Sequence, residues 1–266
     1  MRLGPFAWML LSALFGVYAV PGRAWAFLPD PSILSDPSAL GLGNIPAEVI
    51  RVVGIALDNR PYQPATPLGL SSGADISVEA TMVRIPPSFK EALELAGFGE
   101  ASDIPVIPSP KINIHKGISS RSDLGGSLVW LQGYYVWGVD FKTAITDPEL
   151  EGPTVALRFS YNYAKLGFVT THTYTPQILI SRRLEFADPY LGLGYQYVRG
   201  RVQYQIEIEN TGIGVPFGPY RSVGGGGLAF MGVGLRIPAA GLKLTMEGSY
   251  SFVGAHALGA KFGFNF

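Results

Sequence analysis

From residue 154 to 164 apolar and polar side chains alternate. Val155, Leu157, Phe159, Tyr161 and Tyr163 fall on one set of alternate positions, and Ala156, Arg158, Ser160, Asn162 and Ala164 on the other. A period of two predicts a strand with one apolar and one polar face. The pattern recurs. Leu242, Leu244, Met246 and Tyr250 oppose Lys243, Thr245, Glu247 and Ser249. His256, Leu258, Ala260, Phe262, Phe264 and Phe266 oppose Ala257, Gly259, Lys261, Gly263 and Asn265. Ile76, Val78, Ala80 and Met82 oppose Asp75, Ser77, Glu79 and Thr81. Strands are predicted near 73–84, 108–117, 124–132, 134–145, 154–164, 167–181, 190–198, 225–237, 242–252 and 255–266.

A soluble sandwich would alternate in the same way with its apolar faces inward. Two features favour the inverse. The polar faces are small and glycine-rich, which suits a crowded interior. The apolar faces carry aromatics at strand ends, such as Tyr161, Tyr163, Tyr195, Tyr197, Tyr250 and Phe252, as in the interfacial girdles of membrane barrels. A sheet in lipid must close, because an open edge leaves backbone groups unpaired. The predicted fold is therefore all-β: a transmembrane, antiparallel, up-and-down β-barrel of about ten strands, within a range of roughly eight to twelve.

Composition agrees. Charged residues make up 15% of the chain and hydrophobic residues 47%, an apolar balance for a folded domain. Net charge is zero, so nothing points to nucleic acid. There is no cysteine, which excludes disulfides, thiol catalysis and thiolate metal sites. The three histidines, His115, His172 and His256, lack ligand spacing. No metal and no cofactor is expected.

Residues 1–26 read as a signal peptide: Arg2, an apolar run from Phe6 to Val20, then Ala24-Trp25-Ala26 before a cut at Phe27. Residues 27–70 form a separate segment ahead of the barrel at 71–266. Within it Asn44 can cap a helix near 46–58, with Pro46 and Glu48 in its first turn and Val49, Ile50, Val53, Ala56 and Leu57 as an apolar stripe. Three placements follow for this helix: a plug inside the barrel, the periplasmic membrane surface, or a periplasmic tail.

The signal peptide, the strands of about ten residues and a last strand ending in Phe262, Phe264 and Phe266 resemble a bacterial outer-membrane β-barrel protein. The resemblance implies that these three phenylalanines are read by the barrel-assembly machinery. It also implies an outer-membrane location in a Gram-negative envelope, contact with outer-membrane lipid and lipopolysaccharide, and both termini in the periplasm. The stretch Pro108 to Gly117, followed by Trp137-Gly138-Val139, is similar to an uncharacterised family of predicted outer-membrane barrels. A looser similarity runs to fatty-acid-type transporters of hydrophobic compounds, which have an N-terminal plug. With the C-terminus periplasmic, the long connections 86–107 and 199–223 fall outside, the first with a short helix at Ser88 to Ala96. Gly224 to Gly227 lets the second bend into its strand.

Parity then points Asp75, Glu79, Lys111, Asp140, Lys142, Arg158, Arg236, Lys243, Glu247 and Lys261 into the lumen. They form either a mutually paired structural network or a pore lining with weak anion preference. His172 with Ser160 is the one arrangement with hydrolase character, and no diagnostic spacing supports it. The sequence therefore predicts no enzyme. It predicts a small channel or passive conduit for small or hydrophobic solutes, or alternatively a structural barrel that binds other surfaces through its outer loops.

Overall fold

The computed structural model describes residues 45–70, 73–84, 86–90, 106–131, 134–148, 152–167, 169–208, 213–237 and 241–265. The predicted signal peptide, Asn44 and Phe266 lie outside them. One helix, α1 (Ile45–Ala56), precedes ten strands: β1 (Ala74–Arg84), β2 (Val106–Gly117), β3 (Ser122–Leu131), β4 (Tyr134–Ala144), β5 (Thr154–Leu166), β6 (Val169–Ser181), β7 (Ala187–Ile208), β8 (Ile213–Ile237), β9 (Leu242–Ser251) and β10 (His256–Asn265). Each strand pairs antiparallel with the next, and β1 pairs with β10 from Asp75↔Asn265 to Arg84↔His256. The sheet is a closed up-and-down barrel with no free edge.

Most strand bounds lie close to those the alternation predicts. The exception is β7 with β8. Residues 199–223 are expected as an outer loop over which the Val202, Tyr204, Ile206, Ile208 alternation carries the strand on above the membrane. Residues 199–208 and 213–223 do continue β7 and β8, in a hairpin that pairs as far as Ile208↔Ile213, with a register shift between Val202 and Tyr204. Gly224 to Gly227 therefore lies within β8, where the missing side chains leave room for the Tyr195 ring beside Gly225 and the Phe252 ring beside Gly227. Of the short helix expected at Ser88 to Ala96, a helical turn over 87–90 is described and the remainder lies outside the described residues.

The exterior is apolar. Ile76, Ile114, Leu128, Phe141, Leu157, Leu193, Met231 and Leu258 are each exposed to their surroundings on the outer wall. Around them runs an aromatic cluster in which Trp137, Tyr161, Tyr163, Tyr174 and Tyr197 touch ring to ring. Water would not tolerate so continuous an apolar wall, whereas lipid requires one.

The core lies inside the barrel. Ten strands spaced about 4.8 Å apart and tilted about 40° close a ring about 20 Å across between backbones. A helix with its side chains is about 10–12 Å wide, so one helix fits wherever the wall residues are small. α1 occupies one end of this space. Its Ile50, Val53, Ile55 and Ala56 pack with the inward-facing Val83, Val136, Ala164, Val169, Val198, Val202 and Ala257. A Cβ on Gly54 would stand 2.3 Å from Val198 Cγ1, so glycine is what lets the helix lie against the wall there.

Candidate functional site

The lumen has two zones, and the sequence sorts them. Toward the end that holds α1, the inward positions are mostly valine and alanine, with Thr171 and Ser251 among them. Toward the other end they are charged and polar. Residues 57–69 leave α1 and run through this polar zone, and every residue from 57 to 67 is buried.

The wall holds this segment by hydrogen bonds from all sides. Thr173 donates to the Gly54 carbonyl at 3.1 Å. Asp58 Oδ2 accepts from Thr175 Oγ1 and from Gln196 Nε2, both at 2.8 Å. Lys111 Nζ donates to the carbonyls of Leu57 and Asp58. Asn59 donates to Asp140, which also meets His115 Nε2 at 3.1 Å. Tyr62 Oη lies 2.6 Å from Thr81 Oγ1. Thr81 donates its own proton to Glu79, so Tyr62 is the donor of that pair. Lys142 Nζ donates to the carbonyls of Pro64 and Thr66 at 2.8 and 3.1 Å and pairs with Asp123 at 3.0 Å. Leu68 N–H donates to Asp123 at 2.9 Å. At the far end Gly117 N–H donates to Gly73 O, and the chain enters β1.

The order of these partners fixes the path. α1 touches Val198 and Val202, Asp58 lies level with Thr175, Tyr62 with Thr81, Thr66 with Ser181. The chain thus traverses the barrel from one end to the other before its first strand. Ile45 and Asn265 lie at opposite ends of the barrel. The expectation that both termini share the periplasmic end concerns residues 27–44 and Phe266, which lie outside the described residues; Ile45 itself stands at the end where β10 begins.

Nine of the ten residues assigned to the lumen by parity, all but Arg236, are buried inside it: Asp75, Glu79, Lys111, Asp140, Lys142, Arg158, Lys243, Glu247 and Lys261. Most meet an opposite or polar partner. Lys261 pairs with Asp75 at 3.3 Å. Glu247 accepts from Tyr190 Oη at 2.8 Å. Glu79 accepts from Asn113. Arg158 donates to Gln177 and lies 5.4 Å from the Phe230 ring centroid. Lys243 runs alongside Gly234. Arg236 differs: it has inward parity but sits at the rim, 31% exposed, paired with Asp188 and bonded to the Leu184 carbonyl. Phe262 and Phe264 face outward and touch edge to face.

Parity missed several members. Asp123, which falls just ahead of the strand predicted at 124–132, is an inward residue of β3. His115 is inward by the same parity as Lys111. Tyr190 and Phe230 are inward aromatics, packed at 6.5 Å between ring centroids. They and Tyr62 fill the room that Gly192, Gly232 and Gly259 leave, since a Cβ at those positions would stand 2.1–2.5 Å from their ring or hydroxyl atoms. Asp58 and Asn59 carried no signal, because their wall partners lie on strands remote in sequence, and Arg60 turns back onto the carbonyls of Ile55 and Ala56.

The His172 and Ser160 pairing is overturned. Ser160 points into the lumen. His172 points outward, its Nδ1 bonded to Tyr161 Oη at 2.8 Å. The barrel wall separates them. Among the described residues no group of three histidine or acidic side chains could hold a metal ion.

No family model and no curated protein matches the chain. Solved structures similar to it are outer-membrane barrels. The outer membrane protein Omp33 of Acinetobacter baumannii is 9% identical and covers 74% of this chain and 100% of its own, with a TM-score of 0.33. The translocator domain of the autotransporter NalP from Neisseria meningitidis is 9% identical over 89% of this chain and 100% of its own, with a TM-score of 0.39. The outer membrane protease OmpT of Escherichia coli is 10% identical over 76% and 100%, with a TM-score of 0.36. The fold itself, a closed antiparallel up-and-down barrel of ten strands, rests on the strand pairing.

Proposed function

We propose that the protein is an outer-membrane conduit for small polar solutes, closed in this state by its own residues 45–68. The observation that carries the reading is the surplus of polar groups on the inner wall. Ser160, Asn162, Thr171 and Thr245 are buried and present polar atoms with no protein partner among the described residues. Buried polar groups are ordinarily bonded to protein or to water. A barrel filled only for strength would pair its wall side chains with one another. Here much of the filling is one separable segment, continuous with the wall only at the entry to β1. When it leaves, Lys111, Lys142, Asp58's partners and the unpaired hydroxyls become a hydrated wall. The polar wall favours polar over hydrophobic solutes, and nothing in the site assigns a catalytic role.

Liposome swelling tests this. Full-length barrel is expected to pass small sugars slowly, and barrel lacking residues 45–66 to pass them rapidly. Absence of permeability in both forms would overturn the conduit. The second reading, a surface-interaction barrel, would then stand on the β7–β8 hairpin, whose residues 203–208 in β7 extend past the last pairing with β6, Val169↔Val202.

A further inference from the structure

The outer wall carries a row of cations that the conduit reading does not use. Tyr135, Lys165, Thr170, Arg201 and Arg221 are consecutive cross-strand partners on β4, β5, β6, β7 and β8. They share outward parity, and Lys165, Arg201 and Arg221 are exposed. The next row is Trp137, Tyr163, His172, Arg199 and Val223, and the row after that Val139, Tyr161, Tyr174, Tyr197 and Gly225. Successive rows on one face are about 6.7 Å apart. Two rows rich in aromatics are followed, on the side away from the apolar band, by the basic one.

Two features of this row require an explanation. Arg201 and Arg221 stand directly opposite each other, where Cβ atoms are about 4.5–5.5 Å apart and like charges destabilise the sheet. Arg199 is the diagonal neighbour of Arg221, within about 8 Å. Among the described residues Lys165, Arg199, Arg201 and Arg221 have no carboxylate partner. Such a cluster is stable beside an anion, and guanidinium groups match phosphate in particular, through paired N–H donors. Its height identifies where that anion is. Tyrosine and tryptophan settle at the boundary of hydrocarbon and headgroups, so the row immediately beyond them lies at headgroup level, facing lipid.

We propose that Lys165, Arg199, Arg201 and Arg221 form a binding site for the phosphate of a lipid headgroup, and that its occupant is the phosphorylated glycolipid of the outer leaflet, the lipid A part of lipopolysaccharide. The outer leaflet follows from the row lying at the end opposite Asn265, the end from which the β7–β8 hairpin projects. The site rests on outer-membrane placement and is independent of whether the lumen conducts. Its acyl chains would lie along Tyr197, Tyr195 and Leu193 below.

The test uses the full mature barrel in uncharged detergent, titrated with bisphosphorylated lipid A, with its dephosphorylated form and with phosphatidylglycerol. The thermal unfolding midpoint and the lipid retained after detergent exchange are read. Bisphosphorylated lipid A is expected to raise the midpoint and to remain bound. Arg201→Gln with Arg221→Gln should require at least about tenfold more of it, and Arg221→Gln alone about threefold more, since each phosphate contact is charge-assisted. Without lipid the double variant should melt no lower than the parent, because a like-charge pair has been removed. Arg182→Gln with Arg183→Gln at the opposite rim should bind as the parent does. Equal binding by parent and double variant would overturn the site. So would equal binding of the dephosphorylated lipid. Phosphatidylglycerol binding as tightly as lipid A would overturn the outer-leaflet occupant.

Discussion

Asp58 holds the lumen segment at its turning point. Its carboxylate accepts from Thr175, Gln196 and the Asn59 amide, with Lys111 on its carbonyl. Bonds to a charged acceptor contribute about 1.5–3 kcal/mol each, and a donor left unpaired in a buried site costs a similar amount. Asp58→Ala is therefore expected to weaken docking of the segment by on the order of 3 kcal/mol, whereas Asp58→Asn keeps an acceptor oxygen and loses less. Hydrogen exchange of the amides at 54–66 measures this: they should exchange much faster in the alanine variant while strand amides stay protected. Uniform protection in both would show that Asp58 is not the anchor. Asp58 also marks the limit of what a single sequence reveals. Its partners lie 117 and 138 positions away, so no local pattern announces it. Lys261 and Asp75 were legible, although 186 positions apart, because each obeys the parity of its own strand.

At the level of elements, the same period of two makes the strands readable and blurs their upper ends. Near the end holding α1 the alternation fades. Met82 faces out while Val83 faces in, and Trp137 faces out while Val136 faces in. Both faces are apolar there because one meets lipid and the other meets the helix. That fading is the sequence trace of an internal apolar partner, and with the stripe of α1 it bears on where the helix goes. The extension of β7 was legible in the Val202, Tyr204, Ile206, Ile208 alternation, whereas the matching extension of β8 was not, because Pro216, Gly218 and Pro219 read as a loop. The lipid-facing assignment makes a sharp prediction on β5. Leu157 is 48% exposed on the outer wall. An arginine near the midplane of the hydrocarbon costs about 2–4 kcal/mol, so Leu157→Arg should lower folding stability in lipid vesicles by that amount. Lys165→Arg, on the same face at headgroup level, should leave stability unchanged. Equal cost at both positions, measured by denaturant refolding into vesicles, would show that the apolar band is misplaced.

The whole molecule is a chain that passes through its own barrel. Helix α1 rises about 18 Å at 1.5 Å per residue, and the thirteen residues 57–69 reach at most about 43 Å when extended. Together they exceed the membrane-facing band of about 25 Å, so the segment has the length to run from mouth to mouth, as its partners show. At the mouth where it begins, Glu48 accepts from Ser88 Oγ at 2.7 Å. Ser88 belongs to the longest connection, between β1 and β2. At the other mouth lie the β2–β3 turn with Ser120 and the end of β10. If the C-terminal end faces the periplasm, the start of α1 lies at the cell surface. The absence of cysteine makes this directly measurable with single substitutions. Pro46→Cys and Ser88→Cys should react with a membrane-impermeant maleimide on intact cells. Ser120→Cys should react only after the outer membrane is opened. Reaction of Ser88→Cys on intact cells without Pro46→Cys, which labels only in opened cells, would mean that the segment does not thread the barrel. Reaction of Ser120→Cys alone on intact cells would mean that the barrel is inverted, and the basic row would then lie at the inner leaflet.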